Sequence, residues 1–444
     1  MTRMKDSGIE WIGEVPEEWG LKPIKYLVST PVTDGPHETP TLYDEGIPFL
    51  SAESVKNGIL DSRYKRGYIS ETAHKIFSRK VSPQKNDIFI VKSGATTGNV
   101  GIVTTDEIFD IWSPLALVRT RSDLANQKFV YYFMLSDAFT KQIQNKWSFG
   151  TQQNIGMGVI EKIKLVVPPL DEQTQIANFL DKKVAQLDSV KSLLEEQVKT
   201  LEDYRQSLIY ETVTKGLDKT VPLIDSGVDW IGQIPEGWGI TKFKYFLDTN
   251  KGLTITKESL IEDGIPVINY GQIHSKYGKS VNTDRDELPQ VSANYLKFKQ
   301  SLLKPGDFVF ADTSEDIDGS GNFSTRIDDN GELFAGYHTI KAKLKNALEH
   351  DFRYFMHYFD SLAFRKQVQN KVSGIKVYSI TQSILQETCL ILPSLYEQQQ
   401  IATFLDKKTE QINQMIAIKK EQIENINKQR QTLIYDYVTG KRRV

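Results

Sequence analysis

The feature that most constrains this chain is a helix written twice. Pro168-Pro169-Leu170-Asp171-Glu172-Gln173 leads into Thr174 through Lys183, and a near copy, Pro393-Ser394-Leu395-Tyr396-Glu397-Gln398, leads into Gln399 through Lys408. The copies stay in step without a gap, Leu170 with Leu395 and Leu180 with Leu405. From Leu180 a leucine returns every seventh residue, at Leu187, Leu194, Leu201 and Leu208, with Val184 and Val198 at the companion apolar positions. The second copy carries Leu405, Ile412, Lys419, Ile426 and Leu433 in that row, flanked by Ile416 and Ile423. Apolar residues at this period mark a coiled-coil seam. Each seam has one charged interruption: Lys419 stands where the first copy has Leu194, and Lys191 where the second has Ile416. Proline and an acidic residue at each start suit a helix N-terminus, and Gly216 and Gly440 suit its close. An unbroken helix of about 45 residues is roughly 68 Å long at ~1.5 Å per residue, a spacer rather than a core element.

A second repeat sets the domain plan. Asp6-Ser7-Gly8-Ile9-Glu10-Trp11-Ile12-Gly13 returns as Asp225-Ser226-Gly227-Val228-Asp229-Trp230-Ile231-Gly232, each continuing to a Pro-x-x-Trp-Gly (Pro16 to Gly20, Pro235 to Gly239). The unit is therefore one globular segment and one long helix, used twice. We expect an α+β protein with a pseudo-two-fold repeat: a mixed α/β domain over 1–168, a spacer helix over 169–217, a second such domain over 218–392 and a second helix over 393–444. Strands are expected at Ile88–Val91, Gly101–Thr104, Leu115–Arg119, Phe308–Ala311 and Thr339–Ala342, and helices at Phe129–Gln144 and Phe352–Gln369. Strands Ile163–Val167 and Leu390–Leu392 deliver the chain to each long helix.

At 444 residues the chain exceeds one ordinary core. No apolar run approaches the ~20 residues of a membrane span, and the start lacks a signal-peptide pattern, so a cytoplasmic protein is expected. The single cysteine, Cys389, excludes an internal disulfide and reads as a small buried hydrophobe. A net charge of −2 gives no bulk attraction for nucleic acid. Residues 1–165 hold 20 Lys+Arg against 19 Asp+Glu, and residues 216–392 hold 20 against 23. Any contact with nucleic acid would have to come from local patches.

Catalytic patterns are not met. Val167-Pro168-Pro169-Leu170 lacks the polar and aromatic ends of an amino-methyltransferase tetrapeptide, and Tyr277-Gly278-Lys279-Ser280 lacks the first glycine of a phosphate-binding loop. Gly319-Ser320-Gly321-Asn322 follows an acidic loop (Asp312, Glu315, Asp316, Asp318) rather than a strand. The histidines show no convincing metal spacing, His350 and His357 reading as packing residues. No serine lies in a nucleophile elbow.

Binding chemistry remains. Lys56, Arg63, Lys65 and Arg66 interleave with Tyr64 and Tyr68, with Lys75, Arg79 and Lys80 following, a mixture that seats phosphates and offers arginine to guanine; a solvated basic face is the competing reading. The turn Lys92 through Asn99 offers Ser93, Thr96 and Thr97. In the second domain the counterparts are His274, Lys276, Tyr277 and Lys279, with Asn322, Ser324, Thr325 and Arg326 in the opposite loop. One scaffold with two different sets of polar loops suits readers of two different sequences.

Over its whole length the chain resembles the DNA-specificity subunit of type I restriction-modification enzymes, through the Asp-Ser-Gly-x-x-Trp-Ile-Gly openings at Asp6 and Asp225 and the Leu-x-Glu-Gln helix starts at Leu170 and Leu395. The resemblance implies that both domains are target-recognition domains, each reading half of a split, asymmetric target, and that the helices pair as an antiparallel intramolecular coiled coil that fixes the gap between half-sites. It also implies docking of two methyltransferase subunits using S-adenosylmethionine, joined by an endonuclease/translocase using ATP and Mg²⁺, with no cofactor and no catalysis in this chain. A coiled-coil protein-binding scaffold that never touches DNA is the alternative.

Overall fold

The computed structural model describes residues 3–444 apart from 147, 150–152, 373, 375 and 376. It divides into two compact units: Met1–Glu195 with Lys420–Val444, and Glu196–Lys419. Each unit thus takes one globular domain and parts of both long helices, Leu170–Lys215 and Leu395–Val438.

In the first unit a six-stranded sheet runs in the order Thr33–Asp34, Leu115–Val118, Ile88–Val91, Val100–Ile102, Ile59–Leu60, Val55–Lys56. The all-apolar strand Ile88–Val91 sits centrally, antiparallel to both neighbours and fully buried. A smaller sheet joins Asp110–Ile111, Ile47–Leu50 and Gly67–Ile69. The second unit repeats the order as Leu247–Lys251, Thr339–Leu344, Phe308–Ala311, Phe323–Arg326, Ser280–Val281, beside a second five-stranded sheet. The turn before each central strand needs a left-handed residue, supplied by Asn86 (φ 70°) in one unit and Gly306 (φ 82°) in the other. Mixed sheets and helices make an α+β fold, as expected.

The expected helix over Phe129–Gln144 is two, Gln127–Met134 and Asp137–Gln144; that over Phe352–Gln369 is likewise two, Phe352–Asp360 and Leu362–Gln369. The break has one cause in both. Ser136 and Ser361 take extended N-cap backbone, and each hydroxyl donates to a carbonyl three residues back (Phe133 O, Tyr358 O, both 2.6 Å). Cys389 is half-buried on its strand, not fully buried.

The repeated helix start is explained by its contacts. Trp19 Nε1 donates to Glu172 Oε2 and Trp238 Nε1 to Glu397 Oε1, each at 2.9 Å. The next residue is a buried glutamine. Gln173 donates to Pro168 O at 2.9 Å and accepts from Asn126 N at 2.8 Å; Gln398 donates to Pro393 O at 2.9 Å and accepts from Asp351 N at 3.1 Å. One amide side chain thereby satisfies backbone groups at the helix start and at a domain helix. About two turns later Asp181 accepts from Tyr132 Oη (2.8 Å) and pairs with Lys128, while Asp406 lies 2.8 Å from His357 Nε2 and 3.1 Å from Arg353. At the far ends Gly216 (φ +68°) and Gly440 (φ +76°) close the helices; a Cβ on Gly440 would lie 2.9 Å from the Trp19 ring.

Within each unit the two helices run antiparallel. In the first, Phe179 packs on Tyr437 (centroids 4.5 Å apart) and Arg430 pairs with Asp188 at 3.1 Å. In the second, Lys419 donates to Gln197 (2.6 Å) and Arg205 to Asn413 (2.5 Å). The later the residue on one helix, the earlier its partner on the other. Leu180, Leu405, Ile412 and Ile416 are buried on the expected seam, with Val184 and Val198. Leu187, Leu194, Leu201, Leu208, Ile423, Ile426 and Leu433 are half-buried, as a two-helix seam leaves them. Near the helix C-termini Ile209, Val213, Ile434 and Val438 are more buried than the neighbouring Leu208 and Leu433 of the heptad row, because the domain cores cover that face.

Candidate nucleic-acid interface

The basic stretch of the first domain folds as two 3-10 turns and three short strands, Ala52 to Ile69. Its cations lie over aromatic rings: Lys56 Nζ is 5.3 Å from the Tyr64 centroid, Lys65 Nζ 4.8 Å from Tyr68, and the Arg66 guanidinium 4.3 Å from Trp112. Such stacking keeps charges exposed while limiting their rotamers. Trp112 was not legible as part of this group, since only the pairing of Asp110–Ile111 with Ile47–Leu50 brings it near. Arg63 is occupied: its Nε and Nη2 donate to Asp61, and that side-chain bond holds the Asp61 carboxyl below the usual carboxylate range.

In the turn 92–99, Gly94 (φ +107°) and Gly98 (φ +93°) bend the chain so that Thr96 is exposed and Ser93 half-exposed. Thr97 is different from expectation. It is buried, and its hydroxyl donates to Gly94 O (2.6 Å) with Gln153 O at 3.2 Å, so it ties the turn together rather than facing a ligand.

In the second domain Lys276 is exposed, 5.4 Å over the Tyr277 ring and 3.6 Å from the Glu287 carboxylate, and Tyr277 Oη donates to Glu287 O. Lys279 pairs with Asp360. Asn322 is wired inward: it donates to His274 Nδ1 (2.9 Å) and accepts from Arg365 (2.7 Å), while His274 Nε2 donates to Thr313 O (2.7 Å). These groups line a cavity of about 580 Å³ with Asp316 and Ser314.

Arg326, expected on a reading loop, is not on a loop. Phe323–Arg326 is an interior strand, Ser324, Thr325 and Arg326 are all buried, and Arg326 is 1% exposed. Its guanidinium donates to Leu303 O (2.7 Å), Asn330 O (2.9 Å), Gly331 O (2.8 Å) and Asp328 (3.2 Å). It is a structural arginine. Among the described residues no group of three or more His, Cys, Asp or Glu is placed to hold a metal ion, and no helix is long and apolar enough to cross a membrane.

Two like domains, each latched by the same glutamate, glutamine and aspartate positions to paired helices and each presenting its own polar loops, define a tandem recognition protein. The comparisons make the class specific. The family model for the type I restriction modification DNA specificity domain matches residues 31–200 and 235–426, and the chain belongs to that family. It is 24% identical over 442 residues to the type I restriction enzyme MjaVIII specificity subunit of Methanocaldococcus jannaschii, covering 97% of this chain and 94% of that one. To the EcoKI specificity subunit of Escherichia coli K12 it is 22% identical over 431 residues, covering 91% and 86%. A solved structure described as the basis of complex assembly and conformational transition of the type I restriction-modification system shares the fold, with a TM-score of 0.68, 15% identity, and 96% and 98% of the two chains covered. The chain is a type I specificity subunit with two target-recognition domains.

Proposed function

We propose that this chain is the non-catalytic reader of its complex, each domain recognising one half of a bipartite, asymmetric site in double-stranded DNA. The helices and the flanking Trp-bearing segments seat two methyltransferase subunits, which bring S-adenosylmethionine; an endonuclease/translocase brings ATP and Mg²⁺. The work is done in the cytoplasm, and the helix pair sets the gap between half-sites. Lys56, Lys65, Arg66, Ser93 and Thr96 in the first domain, with Lys276 in the second, are the proposed DNA-facing donors, and the Tyr277 ring supports Lys276. The carrying observation is the contrast between identical latches, Trp19–Glu172 against Trp238–Glu397, and unlike loops, the turn 92–99 with its single charge at Lys92 against the acidic 312–318. The near-neutral charge of each domain is what favours the scaffold alternative.

Exchanging residues 21–160 for the equivalent segment of another family member tests the reading. Long-read methylation profiling of the host is expected to show one half of the target replaced and the other kept. A change in both halves, or in neither, would sink it.

A further inference from the structure

We propose that Lys80 and Lys92, gathered on the buried carboxylate of Asp34, form a seat for one phosphate diester of the DNA backbone against the first recognition domain; the proposal rests on the reading above. Asp34 is wholly buried on the edge strand Thr33–Asp34. Lys80 Nζ lies 2.7 Å from Oδ1 and donates also to Gly35 O at 3.0 Å. Lys92 Nζ lies 2.9 Å from Oδ2, and its side chain is only 13% exposed. His37 Nε2 is 3.2 Å from the same oxygen. A lysine ammonium carries three N–H donors, so the close pair with Oδ2 holds Lys92 in place and leaves it donors for a second anion. Burial would raise the Asp34 pKa, and the two lysines outweigh it, holding the carboxyl ionised and below its usual range.

Two ammonium groups on one carboxylate leave an excess positive charge, shared between Lys92, largely withdrawn from water, and Lys80, whose side chain is 45% exposed. A second anion is favoured there more than at an open surface, where solvent screens the charge. Lysine ammonium groups bind phosphate as point charges, and a carboxylate that fixes both removes the entropy of ordering them. The seat opens beside groups suited to the same duplex. Lys92 begins the turn that exposes Thr96, and Lys80 follows the short helix Glu71–Phe77 and its turn, which carry the exposed Lys75 and Arg79. In the second domain the charges are exchanged. By register Lys251 lies opposite Ile340 as Asp34 lies opposite Ala116, and Asp312 follows Ala311 as Lys92 follows Val91. The seat belongs to the first domain alone.

The test uses the full chain reconstituted with its methyltransferase, a duplex carrying the methylated site found by profiling the host, and a scrambled duplex, with affinity measured over a potassium chloride series. Lys92→Gln is expected to weaken both duplexes and reduce the slope of log K against log salt by about 0.9, leaving the methylated sequence unchanged. Lys80→Gln, the more exposed position, is expected to do the same. Lys85→Gln, which removes a lysine paired to Asp106 at 2.6 Å on the same domain, is expected to leave the slope alone. Unchanged slopes in Lys92→Gln and Lys80→Gln variants with wild-type melting curves would overturn the seat, as would an equal fall in Lys85→Gln. Saturable binding of inorganic phosphate that Lys92→Gln abolishes without affecting duplex affinity would also overturn it, assigning the site to a free anion. A wild-type complex that does not prefer its methylated site would instead overturn the reading beneath it.

Discussion

Arg326 and Lys92 are both basic side chains of recognition domains, and burial gives them opposite work. The guanidinium of Arg326 is saturated by carbonyls and by Asp328, so its loss leaves buried acceptors unpaired. Arg326→Gln is expected to cost about 3 kcal/mol in urea unfolding of the second domain. The methylated half-site should be unchanged in whatever fraction remains folded; an altered half-site with full stability would contradict the assignment. His357 makes a different prediction. Buried between its helix and Asp406, with Asp360 and Lys279 nearby, it has its pKa lowered by desolvation, which outweighs Asp406. A histidine lowered in the folded state stays neutral there, so its stabilisation is complete above the ordinary value near ~6.5 and declines as pH falls below it. Amide protection factors across 352–369, which remove the intrinsic pH dependence of exchange, should therefore fall from pH 7 toward pH 5, more than across 127–144, where Tyr132 makes the equivalent bond. His357→Phe should flatten that dependence.

At the scale of elements, the helix starts are the most legible part of the chain, because each motif residue has one partner. Trp19→Phe removes the hydrogen bond to Glu172 and leaves a cavity at a fully buried position, and is expected to cost about 2–3 kcal/mol, seen as a lower melting midpoint of the first unit. The helices also invite a length experiment. Residues near Glu195 on the first helix are paired in register with residues near Glu421 on the second, as Asp188 with Arg430 and Gln197 with Lys419 indicate in their own units. Deleting seven residues around each keeps the heptad phase, whereas deleting four would not. The expected outcome is a gap shorter by about 10 Å, or about three base pairs, with both half-sites intact in the methylation profile. An unchanged gap would show that the helices do not set it.

For the whole molecule, the repeat means that two readings compete over the same architecture. A specificity subunit with its methyltransferase should retain its methylated duplex on a filter over the scrambled one, and lose both as salt rises; a scaffold should show no preference. Net charge offers little help, since −2 over the chain conceals patches such as that around Asp34. Those patches are made by chain crossings between residues far apart in order, and linear charge counts average them away.

The sequence alone determined the duplication, the two long helices and their seam, because heptad spacing and an ungapped motif are local and periodic. It placed Ile88–Val91 and Phe308–Ala311 as strands, because each is a short apolar run. It did not reveal that Ser136 and Ser361 break their helices, since a serine caps or continues a helix according to what its hydroxyl meets. Nor did it separate Arg326 from Lys92, or bring Trp112 beneath Arg66. Whether a polar side chain faces water or a buried carbonyl depends on which strands close over it, and only the tertiary structure decided that.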